Sequence, residues 1–179
     1  VSCAAYEGRG PWPVGVTTLD LADRQVEVWY PAVPGTESGV EQATYDVREW
    51  LPEGERDKVP DTAPSRYTMQ AWRDLPAAEG RFPMVLFSHG FAAFRTQSSE
   101  ITTHLASWGF VVAAPDYPER GLTAVLEMTI EFESPDRETQ EAVIDLLAAE
   151  DGDSASPLFG RVDTDRVVAS GHSAGGFAS

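Results

Sequence analysis

Apolar residues fall along this chain in two rhythms. Near the start they mix with polar ones: Val16, Thr17, Thr18, Leu19 and Leu21 predict one strand. Val26, Glu27, Val28, Trp29 and Tyr30 predict a second, which stops at Pro31. The link Ala22-Asp23-Arg24-Gln25 is short and polar, so a hairpin is the simplest connection, placed at one edge of a sheet. From Phe82 onward the apolar residues come in unbroken runs. Met84 to Phe87, Phe110 to Ala114 and the short Arg166 to Ser170 predict buried strands.

Between those runs the spacing turns helical. One helix is predicted from Thr96 to Trp108, with Ile101, Leu105 and Trp108 on its apolar face and Gly109 ending it. Another follows Ser134 as N-cap and Pro135 as first helical residue, carries Val143, Leu146 and Leu147, and closes at Asp151-Gly152-Asp153. Strand, helix, strand, helix, strand is an order that forces parallel pairing through helical crossovers. The fold class is α/β. Residues 34–81 read differently: prolines at 34, 52, 60, 64 and 76 predict an irregular insertion, with short helices around Trp50 and Trp72.

Size and charge narrow the picture. The 179 residues suit one domain. A net charge of -16 disfavours nucleic acid and anionic lipid surfaces as partners, and no apolar run is long enough for a membrane span. The single cysteine, Cys3, allows no internal disulfide. Following Val1 and Ser2, it fits either the lipidated cysteine of an exported bacterial protein or an ordinary terminal cysteine, so secreted, lipid-anchored and cytoplasmic locations all stay open.

The candidate chemistry lies at the ends of the predicted parallel strands. Gly171-x-Ser173-x-Gly175 follows the third one directly. A serine hydroxyl is a weak nucleophile, and a tight strand-to-helix turn holds it clear of the sheet where a base can reach it. The bare pattern is a weak signal; its place after a buried strand strengthens it. Ser88-His89-Gly90-Phe91 ends the first parallel strand. The backbone amides of Phe91 and Ala174 are the candidate oxyanion-hole donors, with Ala92 as the alternative for the first.

Three histidines occur, and none is expected to be the catalytic base. His89 reads as a buried loop-shaping residue, His104 as a structural helix residue, and His172 as pointing away from Ser173. Asp116 reads as an ordinary strand-end residue. Scattered histidines and one cysteine lack metal-ligand spacing, and no glycine loop is shaped for phosphate, so neither metal nor cofactor is expected.

The runs HGFAAFRTQSSEITTHLASWGFVVAAPD and GRVDTDRVVASGHSAGG resemble the α/β hydrolases that include dienelactone-hydrolase-like enzymes, platelet-activating-factor acetylhydrolases and bacterial cutinase-type polyester hydrolases. VEVWYPA resembles the N-terminal strand of the same group. The resemblance implies an α/β-hydrolase fold seen in its N-terminal part, a single incomplete domain over residues 1–179 that stops after the nucleophile elbow. It implies Ser173 as nucleophile and an aromatic acyl-site role for Phe91. Dienelactone hydrolase itself uses cysteine where this chain has Ser173. In such enzymes the acid and histidine follow the nucleophile, and both are expected beyond Ser179.

The expectation is therefore a serine ester hydrolase acting on small-molecule or polymeric esters through an acyl-serine. The alternative is a non-catalytic hydrolase-like chain that binds an apolar or ester ligand or a partner. Self-association through an open sheet edge after the third parallel strand goes with that alternative.

Overall fold

The computed structural model of the chain describes residues 3–131, 133–177 and 179. The Cys3 side chain, on which the lipid-anchor expectation rests, lies outside what is described. Strands β1 (Val14–Leu21) and β2 (Arg24–Pro31) form the expected hairpin, paired antiparallel from Val14↔Pro31 to Leu21↔Arg24. Ala22 takes the tight turn with a φ of 52°.

Residues 34–81 hold more regular structure than their prolines suggest. Strand β3 (Gln42–Asp46) pairs antiparallel with β4 (Arg66–Arg73), and β4 pairs parallel with β1 at Gly15↔Trp72 and Val16↔Arg73. Between β3 and β4 lie a 3-10 turn at Val47–Trp50 and the short helix α1 (Glu53–Arg56). The helix expected around Trp72 is instead strand: Met69 and Ala71 face the core while Arg66, Thr68 and Gln70 face solvent. Period-two burial of that kind suits a pleated strand and not a helix. The hairpin is consequently not at an edge, because β4 and β3 lie outside it.

The parallel part follows the predicted order. It comprises β5 (Phe82–Ser88), α2 (Ser99–Ser107), β6 (Val111–Pro115), α3 (Leu122–Glu127), α4 (Asp136–Gly152), β7 (Val162–Gly171) and α5 (Ala174–Phe177). The seven described strands run β3-β4-β1-β2-β6-β5-β7. β5 pairs parallel with both β6 and β7, and β6 pairs antiparallel with β2.

The continuous apolar runs divide between two cores. Met84, Leu86, Val111 and Ala113 face Val143 and Leu147 of α4. Val85, Phe87, Val112 and Ala114 face Ala106 of α2 and Trp29 of β2. Both faces of β5 and β6 are thus dry, which is why their sequences do not alternate. β7, also expected to be buried, is not, because it lies at the end of the described strand order and leaves Val168 56% exposed.

Two helix details depart from expectation. The buried face of α2 is Ser99, Thr102, Thr103, Ala106 and Ser107, while Ile101 is 53% exposed. Small hydroxyl side chains can sit against the sheet here because each returns its hydroxyl to the helix's own carbonyls. Thr103 Oγ1 donates to Ser99 O at 2.6 Å and Ser107 Oγ to His104 O at 2.6 Å. At α4 the cap residue is Pro135, not Ser134, and it makes no side-chain cap bond. The Ser134 hydroxyl is taken by Arg120 Nη1 at 2.8 Å.

A carboxylate lies inside the α2 side of the sheet. Glu27 is fully buried and accepts from Thr18 Oγ1 (2.8 Å), Tyr45 Oη (2.9 Å) and Arg73 Nη1 (2.6 Å). Arg95 Nε lies 3.5 Å from Oε2, the oxygen that accepts from Thr18, while Tyr45 and Arg73 donate to Oε1. A buried charge is tolerated when its lone pairs are met this way. Tyr45, buried beside that carboxylate, has its phenol pKa pushed up by desolvation first and by the Glu27 charge second. The network joins β3 and β4 to β1 and β2 and, through Arg95, to the loop that follows β5.

Candidate active site

The carboxyl ends of β5, β6 and β7 converge on one place, where ligands gather in open α/β sheets. Ser173 sits at the turn between β7 and α5, exposed, with a left-handed φ of 54°. That conformation is costly for a non-glycine residue and persists only when neighbours fix it.

The neighbours that fix it are visible. A methyl added to Gly171 would lie 2.5 Å from the Gly175 carbonyl, and one on Gly175 would lie 2.1 Å from the Ser88 carbonyl oxygen. Both distances are inside hard contact, so each glycine is required by close approach of backbone. His172 N–H donates to Ser88 O at 3.0 Å, and Gly175 and Gly176 N–H close the turn on His172 O and Ser173 O. The GxSxG spacing is therefore a strand-to-helix turn wedged against the end of β5. Ser173 is lifted onto its outer side.

The loop after β5 meets this turn. A methyl on Gly90 would lie 3.3 Å from Ser173 Cβ and 3.1 Å from His172 Nδ1. The next residue, Phe91, is half exposed, and with Ala174 it lines a cavity of about 520 Å³ that Arg120, Ile130 and Phe177 also border. The structure brings Phe91 and Ala174 to one cavity, while Ser173 itself is not among its lining residues and stands next to it in the chain, before Ala174 and against Gly90. Ala92, the alternative donor, is occupied: its N–H donates to Arg120 O at 2.9 Å. Among the described residues no hydrogen bond engages the Phe91 or Ala174 N–H. Ala92 shares the left-handed φ of Ser173, at 55°.

His89 has the loop-shaping position expected of it. It is 2% exposed, and its ring accepts the Tyr117 N–H at Nε2 (2.9 Å). The proton must then sit on Nδ1, which donates to Gly90 O at 2.8 Å. With both nitrogens engaged, this imidazole has none left for Ser173.

Burial is the main force lowering the His89 pKa below its ordinary value of 6.5. The sign of the stability effect follows. Unfolded chains take up a proton on this residue near pH 6.5 and folded ones do so only at lower pH, so stability falls as pH drops below about 6.5. A melting-temperature series from pH 7.5 to 5.5 should show this decline. In His89→Gln the decline should be visibly flatter; an equal slope in the two proteins would contradict the assignment.

The other histidines and Asp116 are also placed. His104 lies on α2, its ring 6.5 Å from that of Trp108. His172 is exposed, and no described hydrogen bond joins any histidine to Ser173. Asp116 is more than a strand-end residue. It accepts from Arg95 N–H (2.9 Å), Arg95 Nη1 (2.5 Å) and Trp50 Nε1 (3.1 Å), and so anchors the far end of the Phe91 loop.

Sequence reasoning overlooked two contributors, Arg95 and Arg120. Both are arginines in nominal loops, and only their partners in space show what they hold. The signal in the sequence was their position directly after the loop-forming motif and the β6 end.

Comparison with known proteins bears on the fold and the family. The family model described as platelet-activating factor acetylhydrolase, isoform II, matches residues 65–156, just over half of the chain. The match takes in the β5 loop and the turn at Arg120 and stops before Ser173. Platelet-activating factor acetylhydrolase of Canis lupus familiaris is 46% identical over 133 residues, which is 66% of this chain and 29% of that protein. The Bos taurus protein of the same name is 43% identical over 53 residues, 30% of this chain and 12% of its own. The matched stretches thus span less than a third of these relatives' length.

Among solved structures, ferulic acid esterase from Streptomyces cinnamoneus superposes with a TM-score of 0.62 at 22% identity. That superposition covers 96% of this chain and 55% of that one. At such identity the likeness establishes the fold, which is α/β-hydrolase. With that fold and the family match together, the chain belongs to the platelet-activating factor acetylhydrolase, isoform II, family.

Proposed function

We propose that this chain supplies the nucleophile and oxyanion half of a serine ester hydrolase. The carrying observation is the strained, exposed Ser173 with Gly90 packed against its Cβ side, next to Phe91 and Ala174, which border one cavity and whose N–H groups have no partner among the described residues. Ser173 Oγ attacks the ester carbonyl carbon, its proton passes to a histidine, and the carbonyl oxygen becomes an anion held by the two amides. Collapse expels the alcohol with that proton and leaves an acyl-serine, which water then hydrolyses by the same route. The histidine and its acidic partner are proposed to come from outside these 179 residues, and the chain to be one incomplete domain of the whole enzyme.

The substrate class is a small-molecule or polymeric carboxylic ester. The family match and the esterase superposition support ester chemistry. Phe91 and Phe177, 50% and 95% exposed, give the opening an apolar rim suited to an acyl or aryl group. A fluorophosphonate probe tests the reading. In the full-length protein, peptide mapping should place the adduct on Ser173; an adduct on another residue, or none, overturns it.

A second reading, a hydrolase-like chain that binds an ester or a partner without turnover, draws on β7. The outer edge of this strand has no partner among the described strands, and Val168 on it is 56% exposed. Strand edges of that kind invite pairing, including with a second copy. Failure of the probe to label full-length protein that still binds esters would favour this reading.

A further inference from the structure

Arg120 is a buried guanidinium, 5% exposed, that no step described above uses. It grips the β5 loop on both sides of Phe91. Its Nη2 donates to the His89 carbonyl at 3.3 Å, and its own carbonyl accepts the Ala92 N–H at 2.9 Å. Its Nη1 donates to Ser134 Oγ at 2.8 Å and to the Asp136 carboxylate, at the start of α4. The planar group lies over Tyr117, with Cζ 3.9 Å from the ring centroid.

Two of the loop's carbonyls are tied off around this point. His89 Nδ1 takes Gly90 O, and Leu122 N–H takes Ala93 O at 3.0 Å. Between the two Arg120 contacts the N–H groups of Gly90 and Phe91 have no partner among the described residues, and of the two residues it is Phe91 that borders the cavity.

We propose that Arg120 is a positioning residue, which fixes the direction of the Phe91 N–H by holding His89 and Ala92 and is itself braced by Asp136. This rests on the oxyanion role of Phe91 proposed above. The argument is geometric. A peptide between two clamped neighbours has little freedom to rotate its N–H away from the opening, and an amide aimed in advance does not reorganise as charge develops. An arginine suits the position because its rigid fork serves separate acceptors at once; a lysine ammonium carries the charge without that geometry.

The test uses the full-length protein and a chromogenic ester. In Arg120→Lys, kcat should fall roughly 10- to 100-fold with KM within about twofold, because an oxyanion contact strengthens only in the transition state. Affinity for a trifluoromethyl ketone, which forms a tetrahedral oxyanion adduct, should fall by the same factor as kcat/KM. Asp136→Asn keeps the arginine and removes its brace, so it should show a smaller loss in the same pattern; it decides the matter alone should Arg120→Lys not fold.

Folded variants with kcat and ketone affinity within twofold of wild type would overturn the inference and leave the esterase reading standing. So would a loss confined to KM. A wild-type protein that neither turns over esters nor labels at Ser173 would remove the esterase reading, and this inference with it.

Discussion

Ser173→Ala in the full-length protein should lower ester turnover by about 10⁴-fold or more and abolish fluorophosphonate labelling, while leaving the melting temperature unchanged within a few degrees. The activity loss is large because the proposed covalent intermediate forms on the Ser173 hydroxyl. What survives is the catalysis that oriented amides alone provide. The stability forecast follows from exposure. The Ser173 side chain is outside the core and makes no described hydrogen bond, so its removal opens no cavity. Relief of strain is not expected either, since alanine is no more comfortable than serine at a φ of 54°. A variant that keeps more than about a tenth of wild-type turnover would place the nucleophile elsewhere.

Gly175→Val should have the second largest effect, on fold and activity together. Its first added carbon alone would lie 2.1 Å from the Ser88 carbonyl oxygen and 2.6 Å from that of His89. Neither oxygen can yield without moving the end of β5, whose Ser88 carbonyl also holds the His172 N–H. The turn must therefore lift from the sheet. Overpacking of this kind costs about 3 kcal/mol, read as a lower urea midpoint. Displacing Ser173 by about 1 Å from the loop amides should lower kcat at least 100-fold. Gly152→Ala is the control: a methyl there meets nothing within 4 Å at the end of α4, so stability should hold or rise slightly. Equal behaviour of the two variants would mean that the GxSxG turn is not wedged as described.

Much of this fold was legible from residue pattern because burial on both faces leaves an unmistakable signature. Met84 to Phe87 and Val111 to Ala114 are dry throughout, and no surface strand would be written that way. The elbow was legible for a related reason: glycines forced by contact appear as glycines in the sequence.

Strand β4 was not read, although Met69 and Ala71 alternate with polar neighbours, because the surrounding prolines dominate a local reading. Its strand identity depends on β1 and β3 beside it, and those pairings join residues far apart in sequence. The α2 face was misread for the opposite reason. Ile101 looked like a core residue, but the face buried against the sheet is Ser99, Thr102, Thr103, Ala106 and Ser107 instead.

The charged scaffold was invisible to pattern altogether. Glu27, Arg95, Asp116 and Arg120 each look like solvent residues, and only the partners that meet their charges explain why they are inside. Asp116, Arg95 and Arg120 hold the loop around Phe91, so the contacts that fix this loop are the part least legible in sequence.

The central claim is a three-point geometry, and a crystal structure of the full-length protein with a phosphonate bound tests it most directly. The account predicts phosphorus bonded to Ser173 Oγ, with its phosphoryl oxygen accepting both the Phe91 and Ala174 N–H groups at about 3 Å. A phosphoryl oxygen turned to solvent or held by other donors would contradict it, as would phosphorus attached to a different side chain.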